Sequence, residues 1–423
     1  MTTRRTSATL KVALALAAFA ASGAALAQSY YKWESVEMPS ASGARCGNGS
    51  PYRIFVNRTP KTSKTVVMFE GGGACWAKGS CSGEGGLLGA SNPNGVPANY
   101  MTSLSMAAYG LVTPFTSRVN PFASIQTQSW NIIYVPYCTG DVHTGNRSAV
   151  YPDADPTQPA MTYQHRGAAN AAALAAWMGK NMPKPDHLLV TGFSAGGAGA
   201  TSNYAVLREA VQPKLSSMLA DSGPLMQAPR GSGASSLPLH EKIRVAWGLD
   251  GPDGLVTKLL AKYPGKGDPN NLGSMTQALA KVFPQDRLGY AVFQQDQIYS
   301  DFSYRDFYPD VAAATTDEAR KPLLLSRWKP EVKAWTDAMT PFANVGFYVP
   351  YERNLIKSHC LTIVGFGGTA ISEAKMRSVE VFLDNLISRT GPVIKAYETA
   401  PKAQSAGGGG SLWDSIVKVF TGD

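Results

Sequence analysis

The sequence predicts an α/β protein organised around a mostly parallel sheet, and three observations carry that prediction. Short apolar runs alternate with helix-period segments along the 423 residues. Those runs are near-continuous rather than alternating in polarity, as strands covered on both faces must be. The composition, 44% apolar and 16% charged with 42 Gly and 28 Pro, provides for a large core. It leaves out a disordered chain, a coiled coil and a collagen.

Taken in order, residues 65–69 form a first strand that ends in Glu70 and three glycines, and 131–137 form another, ending in Cys138 to Asp141. Residues 167–182 are Ala-rich and read as a helix, stopped by Pro183 and Pro185. A strand at 187–191 leads into a helix over 195–210 that opens with small residues, and 217–220, 290–293 and 345–349 continue the strand series. The stretch 224–286 breaks this rhythm with many Gly and Pro, and holds helical pieces at 241–247 and 275–282. It reads as a cap-like insertion over the strand ends, or as a helical connection with long loops. The catalytic domain is expected to span 28–399.

The two ends differ in character. Arg4, Arg5 and Lys11 precede an Ala/Leu-rich run, and Ala25-Leu26-Ala27 is a small-x-small cleavage signal, so residues 1–27 read as a signal peptide. The chain is then exported, secreted or periplasmic. The formal charge of +9 falls to +6 without Arg4, Arg5 and Lys11. That excess suits an acidic polymer as well as plain solubility, and no feature points to nucleic acid. At the other end, 400–410 reads as a flexible linker with four successive glycines. Residues 411–423 follow as a short amphipathic helix carrying Leu412, Trp413, Ile416, Val417 and Phe420, a candidate for weak surface or membrane contact. Past residue 30 no apolar run reaches the length of a membrane span.

Export sets the reading of Cys46, Cys75, Cys81, Cys138 and Cys360. Two disulfides and one thiol are expected, with Cys75–Cys81 the first pair to try. No Cys-x-x-Cys occurs and the five His are scattered, so neither a metal nor a cofactor is expected.

The strongest chemical signal is Gly192-Phe193-Ser194-Ala195-Gly196, a Gly-x-Ser-x-Gly between a strand and a helix. A sharp strand-to-helix turn leaves no room for side chains two residues either side of the Ser, and it lifts the hydroxyl to a helix start that favours negative charge. An acyl-transfer Ser needs a base, an orienting acid and oxyanion donors, in the chain order Ser, acid, His. Only His240 and His359 follow Ser194. His359 lies just beyond the last apolar strand and is preferred, whereas His240 sits in the irregular insertion. Asp296, after the apolar run from 290, is the preferred acid; Asp301, Asp306, Asp250 and Asp253 are rivals. Oxyanion donors are expected at Ala195 and at Gly72 or Gly73 of the triple glycine. That glycine run lacks the Gly-Lys-Ser/Thr ending of a phosphate loop.

Four blocks carry a resemblance: Phe69 to Trp76, Pro136 to Gly145, Gly192 to Gly199 and Ala220 to Gly223. In this order, and with His359, they resemble the signature blocks of the pectin acetylesterase/Notum family over residues 45–395. The resemblance implies an α/β-hydrolase fold, with helices on both faces of a mostly parallel sheet. It also implies a Ser–Asp–His triad of Ser194, Asp296 and His359, with oxyanion donors Gly72, Gly73 and Ala195. The expected function is a secreted serine carboxylesterase that works through an acyl-enzyme and deacetylates a polysaccharide such as pectin. Two other readings stay open: an esterase of lipid-like acyl esters or polyesters, and a catalytically silent binding module on the same scaffold.

Overall fold

The computed structural model describes residues 29–84, 86–103, 113–120 and 123–399. The signal peptide, linker and amphipathic helix expected at the two ends lie outside the described residues.

Nine strands form the main sheet: β1 (Trp33–Glu37), β2 (Arg53–Asn57), β3 (Thr65–Phe69), β4 (Asn131–Val135), β7 (His187–Phe193), β8 (Leu215–Asp221), β9 (Arg287–Ala291), β10 (Val345–Val349) and β11 (Lys395–Tyr397). They lie in the order β1-β2-β4-β3-β7-β8-β9-β10-β11. Only β1–β2 and β2–β4 are antiparallel, and every pairing from β4 to β11 is parallel. A separate hairpin pairs β5 (Arg147–Tyr151) with β6 (Met161–His165). Every residue of β3, β4, β7 and β10 is buried, which is why these four read as unbroken apolar runs in the sequence. The fold is the expected mixed α/β architecture of a large, mostly parallel sheet flanked by helices.

The α-helices among the described residues are α1 (Lys78–Ser82), α2 (Gly167–Asn181), α3 (Ala195–Val211), α4 (Leu237–Trp247), α5 (Ser274–Val282), α6 (Gln297–Tyr304), α7 (Pro309–Ala313), α8 (Asp317–Met339) and α9 (Val379–Ser388). Residues 224–286 hold α4, a π-helical turn over Thr257–Ala261, and α5. The indole N–H of Trp247, at the end of α4, donates to the Cys75 carbonyl at 2.8 Å. This stretch is thereby fixed to the glycine-rich loop after β3.

Two local readings change. The strand before Asp296 ends at Ala291, five residues short of the Asp, which instead caps α6 by accepting from Tyr299 N at 2.9 Å. A side-chain cap replaces a strand end as the device that places this carboxylate. The β5–β6 hairpin has no counterpart among the sequence-predicted elements, because β5 buries only Ala149 and Tyr151 and so has no apolar run. The cysteines pair as Cys46–Cys138 and Cys75–Cys81, leaving Cys360 as a buried thiol. Two disulfides and one thiol is the expected count. No helix among the described residues is long and apolar enough to cross a membrane.

Candidate active site

Ser194 joins β7 to α3 in a conformation that L-residues rarely adopt, φ 55° and ψ −127°. Such strain costs on the order of 1–3 kcal/mol and persists only where the surroundings impose it. Here they do. A Cβ on Gly192 would lie 2.3 Å from the Gly196 carbonyl oxygen, and one on Gly196 would lie 2.1 Å from that of Phe69. Ser194 N–H donates to the Asp221 carbonyl at 2.8 Å, tying the turn to the end of β8. The hydroxyl-bearing residue itself stays partly exposed.

His359 and Asp296 meet across 63 residues of chain, with Nδ1 of the ring 2.8 Å from Oδ2 of the fully buried carboxylate. Burial pushes the Asp296 carboxyl above its ordinary value, and His359 pulls it back down. With Nδ1–H donating to Asp296, Nε2 is left as the ring's acceptor. It is buried and has no hydrogen-bond partner among the described residues. The ring lines the same small cleft as Ser194, Gly72, Gly73 and Ala195. The rivals are elsewhere. His240 is buried in α4, pushed down to about 3 by burial and Arg244, and lines a different chamber. Asp250 pairs with Arg230 and Arg244, Asp253 with Lys258, and Asp301 with Arg305. Asp306 is exposed.

The loop that delivers His359 is irregular. Ile356, Lys357, Ser358 and Cys360 all have positive φ, from 45° to 64°. It is held from outside. The Asp221 carboxylate accepts from Leu361 N at 2.9 Å, Thr362 N at 2.8 Å and the Thr362 hydroxyl at 2.7 Å. Ser222 Oγ accepts from Cys360 N at 3.0 Å. The buried Arg353 donates through Nη2 to the Cys360 carbonyl at 2.6 Å, and burial pushes its guanidinium down to about 10 while Asp221 pulls it up. Sequence reasoning missed all three holders. Asp221 stood inside the Ala220–Gly223 block without a role, and Arg353 had no signal at all.

The glycine loop has its own supports. Cβ atoms on Gly72 and Gly73 would lie 2.3 Å from Ser91 Oγ and 2.2 Å from the Gly89 carbonyl, so only glycine fits either position. Among the described residues no acceptor takes the N–H of Gly72, Gly73 or Ala195. Glu70, just ahead, accepts from Tyr137 N at 2.7 Å and the Tyr100 hydroxyl at 2.6 Å, and burial pushes its carboxyl up to about 7. The Glu70 carbonyl meets His143 Nε2 at 2.9 Å. Burial pushes His143 down to about 4, which keeps it neutral, and its ring lies 4.6 Å from that of Tyr137. Asp141 accepts from the Thr139 hydroxyl, His143 N, Gly145 N and Gly167 N within 3.1 Å, and burial pushes it up to about 6. The Pro136–Gly145 block is thus a bracket behind the glycine loop, further fixed by the Cys46–Cys138 disulfide.

The cleft is small, about 20 Å³, and is closed on one side by Val142, Tyr299 and Phe302. Among the described residues one grouping approaches metal-ligand spacing, Cys75, Cys81 and His165. Its two sulfurs are bonded to each other and its imidazole pairs with the Tyr151 hydroxyl and the Thr139 carbonyl.

No curated protein sequence matches the chain. Two crystal forms of the Wnt deacylase Notum from Drosophila share its fold. Each superposes with a TM-score of 0.54 at 17% identity; form II covers 88% of this chain and 97% of its own, form I 89% and 99%. Residues 25–241, just over half of the sequence and including the Ser194 elbow, the glycine loop and its bracket, match the family described as Pectinacetylesterase. The chain therefore belongs to the pectinacetylesterase family and is a carboxylic ester hydrolase.

Proposed function

We propose that this protein is a serine esterase that removes short acyl groups, acetyl foremost, from hydroxyls of a polysaccharide such as pectin. The observation that carries the reading is the buried Asp296–His359 pair at 2.8 Å, whose free Nε2 borders the cleft that also holds Ser194. His359 takes the Ser194 proton, and the alkoxide attacks the ester carbonyl. The N–H groups of Gly72, Gly73 and Ala195 receive the oxyanion, and being already fixed by the fold they need no reorganisation at the moment of reaction. His359 then protonates the leaving alcohol, and water repeats the cycle on the acyl-enzyme. Asp296 holds the ring in the required tautomer and supports the imidazolium that forms. None of these steps calls on a cofactor.

A cleft of about 20 Å³, little more than the space one water-sized group needs, favours a small acyl group such as acetyl. Longer, lipid-like chains have one observation in their favour, an apolar chamber behind Tyr299 and Phe302 lined by Leu225, Met226, Leu239 and Trp247. The chamber is filled, with about 10 Å³ of space. The disulfides suit an exported enzyme acting outside the cytosol. Turnover of p-nitrophenyl esters from acetyl to palmitoyl, beside acetylated pectin, tests the reading. Activity should peak at acetyl and fall at least tenfold by octanoyl. A peak at long chains would overturn it in favour of a lipid-like substrate.

A further inference from the structure

A second groove adjoins the cleft and has no part in the chemistry so far. It encloses about 180 Å³ against about 20 Å³ in the cleft, and the two share Ala74, Leu88 and Phe302 as walls. An ester on Ser194 must place its acyl group on one side of the carbonyl and its alcohol on the other. The cleft has room only for the smaller part, so the alcohol extends into the groove.

The groove is lined by apolar and polar side chains together. Trp76 and Phe302, with ring centroids 5.3 Å apart, form the aromatic wall, and Trp76 is backed by Trp247 and Phe307 at 6.5 and 5.8 Å. Ser80, Asp301, Arg305 and Asp306 line the same groove. An indole face covers the C–H face of a pyranose, and carboxylate and guanidinium groups take its hydroxyls.

The charges narrow the ligand further. Arg305 is engaged by Asp301 through both Nε, at 2.9 Å, and Nη2. Arg320 stands behind the same carboxylate at 4.0 Å. Asp306 is exposed and has no ion-pair partner among the described residues. The unpaired charge on the groove is therefore negative, and it repels a ring that carries its own carboxylate.

We propose that this groove is the leaving-group subsite and that it takes an uncharged acetylated pyranose, whether a neutral sugar or a methyl-esterified uronate. The proposal rests on the Ser194 mechanism above and names its substrate class.

Four substrates test it: acetylated xylan, acetylated polygalacturonate with free carboxylates, the same polymer methyl-esterified, and ethyl acetate, which has no ring. Wild-type kcat/KM should be at least tenfold higher on xylan and on the methyl-esterified polymer than on the free acid. Asp306→Lys should cut that preference to about twofold or reverse it. Trp76→Ala should lower the ratio of kcat/KM on xylan to that on ethyl acetate about tenfold, mainly through KM. Equal wild-type turnover of free-acid and esterified polymers would overturn the proposal, as would an unmoved preference in Asp306→Lys, whose exposed position keeps folding out of the result. Ethyl acetate turnover that survives Ser194→Ala would instead overturn the mechanism, and the subsite with it.

Discussion

The Ser194 turn and the His359 loop bring two residues to one cleft by opposite means. The turn is marked by its own neighbours: residues 192 and 196 must be glycine because a Cβ there would strike the backbone of the turn or of β3. The loop contains four non-glycine residues with positive φ, and its local brace is Ser358, whose buried hydroxyl accepts from Arg353 N at 3.1 Å and donates to the Arg353 carbonyl at 2.9 Å. Its shape is imposed by Asp221, Ser222 and Arg353, of which the first two lie more than 130 residues upstream. A locally enforced geometry leaves a motif in the sequence. A remotely enforced one leaves only scattered polar residues.

Ser194→Ala gives the largest expected effect. It deletes one partly exposed hydroxyl and leaves the glycine-made turn alone, so kcat should fall at least ~10³-fold. Thermal unfolding should show a stability change within about 0.5 kcal/mol. A large loss of stability would mean that the hydroxyl also holds the turn together.

Asp221→Asn attacks the loop from its remote support. An amide cannot accept from Leu361 N, Thr362 N and the Thr362 hydroxyl together, and a buried donor left unmatched costs about 1–3 kcal/mol. Displacing His359 by about 1 Å should lower kcat on the order of 10²-fold. Steady-state kinetics beside melting curves would check this; unchanged kcat with a lowered Tm would separate loop anchoring from His359 placement.

Gly196→Ala attacks the turn from within. The new Cβ meets the Phe69 carbonyl at 2.1 Å, and such overpacking costs about 1–3 kcal/mol. Denaturant unfolding should show that loss together with reduced activity. Full stability in this variant would remove the steric account of the turn.

The smallest effect concerns the glycine loop and its dependence on pH. Glu70 has an ordinary value of 4.5 and is pushed up to about 7 in the folded chain. The folded state therefore binds the extra proton between these values. The resulting stability is fully present below about pH 4.5 and is lost as pH rises through 7. Glu70→Gln abolishes this titration. The Tm difference, wild type minus variant, should fall steadily from pH 4.5 to 7; a constant difference would show that Glu70 does not titrate there.

The same contrast governs how much of the molecule was legible beforehand. Strands β3 and β10 are readable residue by residue because parallel strands buried on both faces must be apolar throughout. The half-exposed β5–β6 hairpin is not, and neither is α8, which carries Pro322 and Pro330 inside a 23-residue helix. Proline in a helix interior is a stop signal to sequence reasoning, and here tertiary packing of Trp328, Val332 and Trp335 overrides it. At the site, Ser194 is announced by its motif, and His359 follows from chain order and position. Asp296 was named among rivals, with its placement misread as a strand end. Asp221 acts on backbone groups 140 residues away, and Arg353 on a carbonyl seven residues on at no regular helix or strand spacing, so no spacing rule reports either contact.

Chain order also has a consequence in time. Ser194 and His359 are 165 residues apart. At synthesis rates of ~5–20 residues per second, the nucleophile turn leaves the ribosome roughly 8–33 s before the histidine does. Strands β9 and β10 and the capped Asp296 are made within that interval. On the proposed assignment, the growing chain thus carries a shaped but unarmed serine while 165 further residues are made. Hydrolytic competence arrives as a single late event, when the last loop docks on Asp221.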